Sequence, residues 1–201
     1  MSTRAGRKSH RVRNTRETQI ELSLDLDGTG VFDIGLPPDA GAPFWGHMLE
    51  QWAKHGRFDL TIQATGDTQI DAHHLIEDLG IVLGEALLEA VGDKRGIARY
   101  GFFIAPMDEC LTLCAVDFCN RAYLQLDWEL QQEKLGEFDT SLAREFMVAL
   151  ASNARINLHV QSLQSGNAHH VIESSMKAMA RAMRQALTIE GDELPTTKGL
   201  L

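Results

Sequence analysis

The sequence predicts an α+β fold built by internal duplication of a β-β-α-β-α unit, with helices packed on mixed sheets. Three observations predict it. Short stretches in which apolar and polar residues alternate, the mark of half-buried strands, are interleaved with stretches of helical periodicity. The order of these stretches repeats along the chain. The motif AHH-x-x-E occurs at 72–77 and again at 168–173, in the same place relative to its neighbours.

In ETQIELSLDLDGTGVFDI, Ile20, Leu22, Leu24 and Leu26 alternate with Glu21, Ser23 and Asp25 up to an Asp-Gly turn, which predicts a β-hairpin. APFWGHMLEQWAKHG sets Phe44, Met48, Leu49 and Trp52 on one side of a helix that ends at Gly56. FDLTIQATGD alternates once more, and HHLIEDLGIVLGEALLEAVGDKRG reads as a long amphipathic helix stopping at Gly92 or Gly96. The second half follows suit: RYGFFIAP, CLTLCAVDF and YLQLDWEL are strand-like, SLAREFMVALASNA is helical, INLHVQSL is a strand and HHVIESSMKAMARAMRQAL is a helix. One domain over 12–201 is expected, with repeats at about 12–96 and 97–190 and a C-terminal tail. Residues 1–11 are expected to form a disordered basic tail.

Composition narrows the function classes. A chain of 201 residues, 44% hydrophobic and 23% charged, builds one sizeable core or two small repeats sharing one. No apolar run approaches the roughly 18 residues of a membrane helix, and MSTRAGRKSHRVRNTR lacks the apolar centre of a signal peptide, so a cytoplasmic location with no membrane partner is expected. The formal charge is −9, yet Arg4, Arg7, Lys8, Arg11, Arg13 and Arg16 crowd the N-terminus without an acid among them. Having no interleaved aromatics, this arm predicts a solvated tail and no nucleic-acid partner. Cys110, Cys114 and Cys119 fall in an alternating run that spreads them too far apart to clamp one zinc, so they read as reduced, packed thiols.

The histidines carry the chemistry. At helical spacing Glu77 sits beside His73 or His74, and Glu173 beside His169 or His170. Adjacent histidines diverge by about 100° around the axis, so each pair suits two metals better than one. Imidazoles with a few carboxylates fit divalent Mn, Fe or Zn. In the preceding short helix of each half, His47 has Glu145 as its counterpart, one more metal-capable side chain per half. His10, His55 and His159 lack such support as ligands.

Taken in order, R-x-T-x-E-T (13–18), DGTG (27–30), HMLEQ (47–51), DAHHLIEDLGI (71–81), KRGIARYG (94–101), PMDE (106–109), FDT (138–140), NLHV (157–160), GNAHHVIES (166–174) and PTTKG (195–199) resemble the imidazoleglycerol-phosphate dehydratase family from about residue 12 onward. The resemblance implies a hydro-lyase of histidine biosynthesis, converting D-erythro-imidazole glycerol phosphate to imidazole acetol phosphate. It also implies a homo-24-mer assembled from trimers, with two Mn2+ ions per active site at subunit interfaces. By motif, the metal ligands would be His47, His73, His74, Glu77, Glu145, His169, His170 and Glu173. Glu17 would be the catalytic base, and Gln51, His55, Arg99, Arg121, Lys177, Thr197 and Lys198 would bind the phosphate substrate. Two departures stand out: Gly46 replaces the family's usual aspartate, and Glu145 stands where histidine is frequent.

The implied reaction takes a proton from a carbon with no adjacent carbonyl, so the imidazole ring must accept the electron pair. A metal-stabilised imidazolate is the expected route. The alternatives are a dinuclear metal-binding protein of the helical-bundle kind and a catalytically dead assembly protein of the same fold.

Overall fold

The structure, a computed structural model, describes residues 6–201. Four strands form the first sheet in the order β1 (Lys8–Asn14), β2 (Thr18–Asp25), β4 (Asp59–Gly66), β3 (Phe32–Gly35). The second sheet runs β5 (Tyr100–Met107), β6 (Cys110–Asp117), β10 (Asn157–Gln164), β7 (Tyr123–Asp127). A small ladder of β8 (Lys134–Leu135) and β9 (Phe138–Asp139) precedes the third helix. In each sheet the last-named strand lies parallel to its neighbour and the other pairings are antiparallel. Two similar halves result, each a four-stranded mixed sheet with two helices, and the helical-bundle alternative is ruled out.

The helices fill the space between the sheets. Of α1 (Ala42–Gly56), α2 (His73–Val91), α3 (Ser141–Ala154) and α4 (Ala168–Ala186), α2 packs on β1 and β2, and α4 packs on β5 and β6. Across the middle the pairing crosses the duplication, α1 against α4 and α2 against α3. The molecule is thus a sheet–helix–helix–sheet sandwich with one continuous core. A helix enclosed on nearly every side needs small residues. In α4, Ser174, Ser175, Ala178, Ala180 and Ala182 are all fully buried, and both serine hydroxyls donate back to Val171 O. Where α2 meets α3, a Cβ at Gly80 would stand 2.6 Å from Phe146 O, and one at Gly84 would stand 2.8 Å from Leu150 O.

Three expectations are corrected. The basic tail does not extend to residue 11, because Lys8–Asn14 is strand β1. Its alternation turns Ser9, Arg11 and Arg13 toward α2, where Ser9 donates to Glu89, Arg11 pairs with Glu85 at 2.8 Å and Arg13 with Asp78 at 2.9 Å. Arg11 and Arg13 meet an acidic stripe of α2, while Arg7 pairs with Asp27 and Lys8 with Asp25; Arg4 lies outside the described residues. Consequently the first half reads β-β-β-α-β-α, one strand more than the expected unit, and begins at Lys8, while the second half keeps that order with the β8–β9 ladder inserted before α3. Nor does the Asp-Gly turn make a hairpin, since β2 pairs with β1 and β4 while β3 lies parallel to β4. Asp59 directs the chain there: its Oδ1 accepts the backbone N–H groups of Thr29, Gly30 and Val31 at 2.8, 3.0 and 2.9 Å.

The three cysteines are buried and unpaired. Among the described residues no helix is long and apolar enough to cross a membrane.

Two predictions follow from packing and charge. Gly80→Val gains little helix propensity and drives its branch into the α3 backbone, so stability should fall by about 2–3 kcal/mol in urea denaturation; an unchanged midpoint would mean that α2 and α3 are not this close. The N–H groups of Val31, Thr29 and Gly30 hold the Asp59 carboxyl below its ordinary value. Its contribution to stability is therefore complete above about pH 4 and is lost as pH falls through the lower folded value. Asp59→Ala should flatten the acid limb of a denaturation-midpoint profile, and an identical limb would refute the assignment.

Candidate functional site

Both HHxxE motifs open a helix. His73 N donates to Asp71 Oδ1 at 2.7 Å, and His169 N donates to Asn167 Oδ1 at 2.9 Å, so a side-chain oxygen two residues upstream holds each motif in a first turn, Asn167 as the N-cap of α4 and Asp71 one residue before the N-cap of α2. The four imidazoles therefore sit at helix entrances rather than in the core, each 28–44% exposed.

Helix pairing across the halves builds one metal-capable triad. His47 of α1 and His169 and Glu173 of α4 bring their donor atoms within 4.8 Å of one another. Glu173 Oε2 lies 3.0 Å from His169 Nε2 and 3.9 Å from His47 Nε2. Metal bonds of about 2.0–2.2 Å place ligand atoms about 3–4 Å apart, so the donor set suits a divalent ion of the Mn, Fe or Zn kind. Burial opposes the charge of Glu173, whose side chain is 8% exposed; Lys177, at 2.7 Å from Oε1, together with His169 and His47, outweighs it and holds the carboxyl below its ordinary value.

Three of the histidines carry a carboxylate on Nδ1. His74 Nδ1 lies 3.0 and 3.2 Å from the two Asp67 oxygens, His170 Nδ1 lies 3.0 and 3.2 Å from those of Glu109, and His47 Nδ1 lies 3.3 Å from Glu50. The Asp67 hydrogen bond raises the His74 pKa. Glu109 is held down to about 2 by the N–H groups of Asn167 and of Glu109 itself and by His170. Glu17 Oε1 stands 3.9 Å from His74 Nε2, and Asp108 Oδ2 stands 3.8 Å from His170 Nε2. Asp108, Glu109 and His170 form a second group with donors within 4.8 Å.

The other ligand candidates are less complete. His73 Nε2 lies 3.8 Å from Glu77 Oε2, but among the described residues His73, His74, Glu77 and Glu145 do not close into a group of three donors. Gly46 is no steric necessity, because a Cβ there would meet only Leu36 and Ile34 at 3.5 Å and beyond.

The substrate-binding candidates fall into two places. Arg99, Arg121, Thr197 and Lys198 line one cavity of about 730 Å3, which no acidic side chain enters. Arg99 is its fixed floor, in the left-handed region at φ 71°, with Nε and Nη2 donating to Asp117 at 2.7 and 3.1 Å and Nη1 to Pro195 O at 2.9 Å. Gln51, His55 and Lys177 do not line it. Gln51 and His55 continue the i, i+4 stripe of α1 that begins at His47, alongside the Glu173–Lys177 stripe of α4. Burial, then the Lys177 and Arg181 cations, push the His55 pKa down. His159 packs against Tyr123 with ring centroids 5.4 Å apart, on the other face of its sheet from α4.

With this geometry in hand, comparison decides the family. A family model described as imidazoleglycerol-phosphate dehydratase matches residues 40–183. The chain belongs to the imidazoleglycerol-phosphate dehydratase family. It is 49% identical over 197 residues to the imidazoleglycerol-phosphate dehydratase of Bacillus subtilis, covering 97% of this chain and 100% of that protein. The enzyme of the same name from Azorhizobium caulinodans is 48% identical over 198 residues, with 97% and 98% covered. The crystal structure of the Staphylococcus aureus dehydratase superposes with a TM-score of 0.80 at 38% identity, over 90% of this chain and 99% of that one. As a member of this dehydratase family the chain is a hydro-lyase.

Asp67, Glu109 and Asp117 were not singled out from sequence. Glu109 lies inside the PMDE motif and Asp67 closes the strand-like FDLTIQATGD, but which nitrogen they meet depends on where β4 ends and β6 begins beside the helix entrances. Asp117→Asn should leave the Arg99 charge without a full partner and cost about 2–3 kcal/mol, with earlier proteolysis of the C-terminal tail than in wild type. Equal melting and equal cleavage would show that Asp117 does not hold this floor.

Proposed function

We propose that the chain removes water from D-erythro-imidazole glycerol phosphate to give imidazole acetol phosphate, in histidine biosynthesis, using two Mn2+ ions per active site. The His47–His169–Glu173 triad is the observation that carries this reading, because it places three donors of the kind such ions take at the entrance of α4.

The remaining ligands would be His73, His74, Glu77, Glu145 and His170. A bound divalent ion supplies Lewis-acid stabilisation of the charge that develops on the substrate imidazole. The chain's own residues do the rest. Glu17, 54% exposed and free of any side-chain hydrogen bond among the described residues, takes the proton from carbon. The ring, on giving up its N–H proton, pushes an electron pair out to expel the hydroxyl of the carbon attached to it, which leaves as water with that proton. The pair freed when Glu17 takes the proton from the next carbon flows back towards the ring, and the enol so formed tautomerises to the ketone as the proton is returned. Arg99, Arg121, Lys198 and Thr197 grip the phosphate in a cavity without acidic side chains, Arg99 being already oriented by Asp117. Gln51, His55 and Lys177 line the approach to the triad.

His73, His74 and Glu77 stand half-buried and do not converge into a group of three donors, which supports a site completed by another copy of the chain, in a 24-mer built from trimers.

The test is an assay for imidazole acetol phosphate on chelator-stripped protein, with Mn2+ added back; absence of product under saturating Mn2+ would overturn the proposal. Within it, Glu17→Gln should assemble normally and lose roughly 10²–10⁴-fold in kcat, whereas a near-wild-type kcat would remove Glu17 as the base.

A further inference from the structure

The two halves solve one problem with carboxylates from different places. In each, Nδ1 of the second histidine of HHxxE rests on a carboxylate at 3.0 and 3.2 Å. In the first half that carboxylate is Asp67, the residue directly after β4; in the second it is Glu109, the residue directly before β6. The residue directly before β2, the counterpart of Glu109, is Glu17. The position directly after β10, the counterpart of Asp67, is Ser165, which has no charge to offer.

We infer that Asp67 and Glu109 are positioning residues that hold Nδ1 of His74 and His170 so that Nε2 is presented as the metal donor, and that Asp67, by taking this task, leaves Glu17 free. An ionised carboxylate only accepts hydrogen bonds, so Nδ1 carries the proton and the lone pair stands on Nε2. Both carboxylates are themselves anchored. Asp67 N donates to Glu17 O at 3.0 Å, and its side chain is 15% exposed. Glu109 Oε1 accepts Asn167 N–H at 2.7 Å, at the N-cap of α4. Gly166 makes room for it, since a Cβ there would fall 2.3 Å from Glu109 Oε1. With both oxygens engaged by Nδ1 and one also by a backbone N–H, Glu109 is an orienting group rather than a ligand, although it lies within donor distance of Asp108 and His170. The duplicated halves have therefore divided the work: the acid before the second strand orients in one half and is released for proton transfer in the other.

This inference rests on the proposed metal chemistry, and the experiment separates the two. Mn2+ is titrated calorimetrically into the chelator-stripped full-length protein and its variants, with melting of the metal-free forms recorded alongside. Asp67→Ala and Glu109→Ala should each weaken one class of site by about 10–100-fold. Asp67→Asn and Glu109→Gln keep an oxygen that accepts from Nδ1–H, so their affinity should stay within about threefold of wild type. If an amide variant loses as much affinity as its alanine partner, the carboxylate acts as a ligand or as a charge, and positioning is refuted. Alanine variants that bind as wild type does refute it too, leaving the proposed function intact. Wild-type protein that takes up no Mn2+ overturns both. Should an alanine variant fail to fold, the amide variant decides alone: a loss of more than about tenfold sinks the inference.

Discussion

The crossing of the helix pairs is the constraint on which the site depends. If α1 packed on α2 and α3 on α4, each half would be a separate two-layer unit and His47 would face its own HHxxE. Instead α1 lies on α4 and α2 on α3, so His47 of one half meets His169 and Glu173 of the other. Close approach makes this possible. Gly80 and Gly84 let α2 lie against the α3 backbone, and Gly101 lets β5 lie against α4, where a Cβ would fall 1.9 Å from Ala182 O. An ion held by the triad would join helices from both halves.

Charge is distributed on the same logic. A chain of formal charge −9 keeps its cations where they are answered or needed. The N-terminal arm gives Arg11 and Arg13 to the acidic stripe of α2, and Lys177 holds one oxygen of Glu173 while the histidines face the other. Arg99, Arg121 and Lys198 are left around a cavity free of acidic side chains. The cationic cavity and the triad are built from different segments, the first from the link between the halves and the C-terminal tail, the second from α1 and α4.

Duplication made the two halves alike in backbone and unlike in duty. The equivalence of the HHxxE motifs is kept because each depends on a local device, a helix N-terminus whose backbone N–H is held by a side-chain oxygen two residues upstream. The surrounding carboxylates are not equivalent, because they come from strand ends whose geometry drifts more freely than a helix turn.

The sequence by itself determined the α+β class, all four helices, the repeat and the pairing of each histidine couple with a glutamate, since these follow from periodicity and i, i+4 spacing over a few residues. It missed β1, because a run of cations reads as solvated until the acids of α2 are known to lie opposite. It misplaced the partner of β3, because an Asp-Gly turn is a local signal and Asp59, which redirects the chain, lies about 30 residues on. Tertiary structure alone decided that His47 joins His169 and Glu173, that Asp67 and Glu109 reach the Nδ1 atoms, and that Arg99 and Lys198 share one cavity. Those contacts join residues far apart in the chain, and nothing in local spacing encodes a distance that is set by how the helices cross.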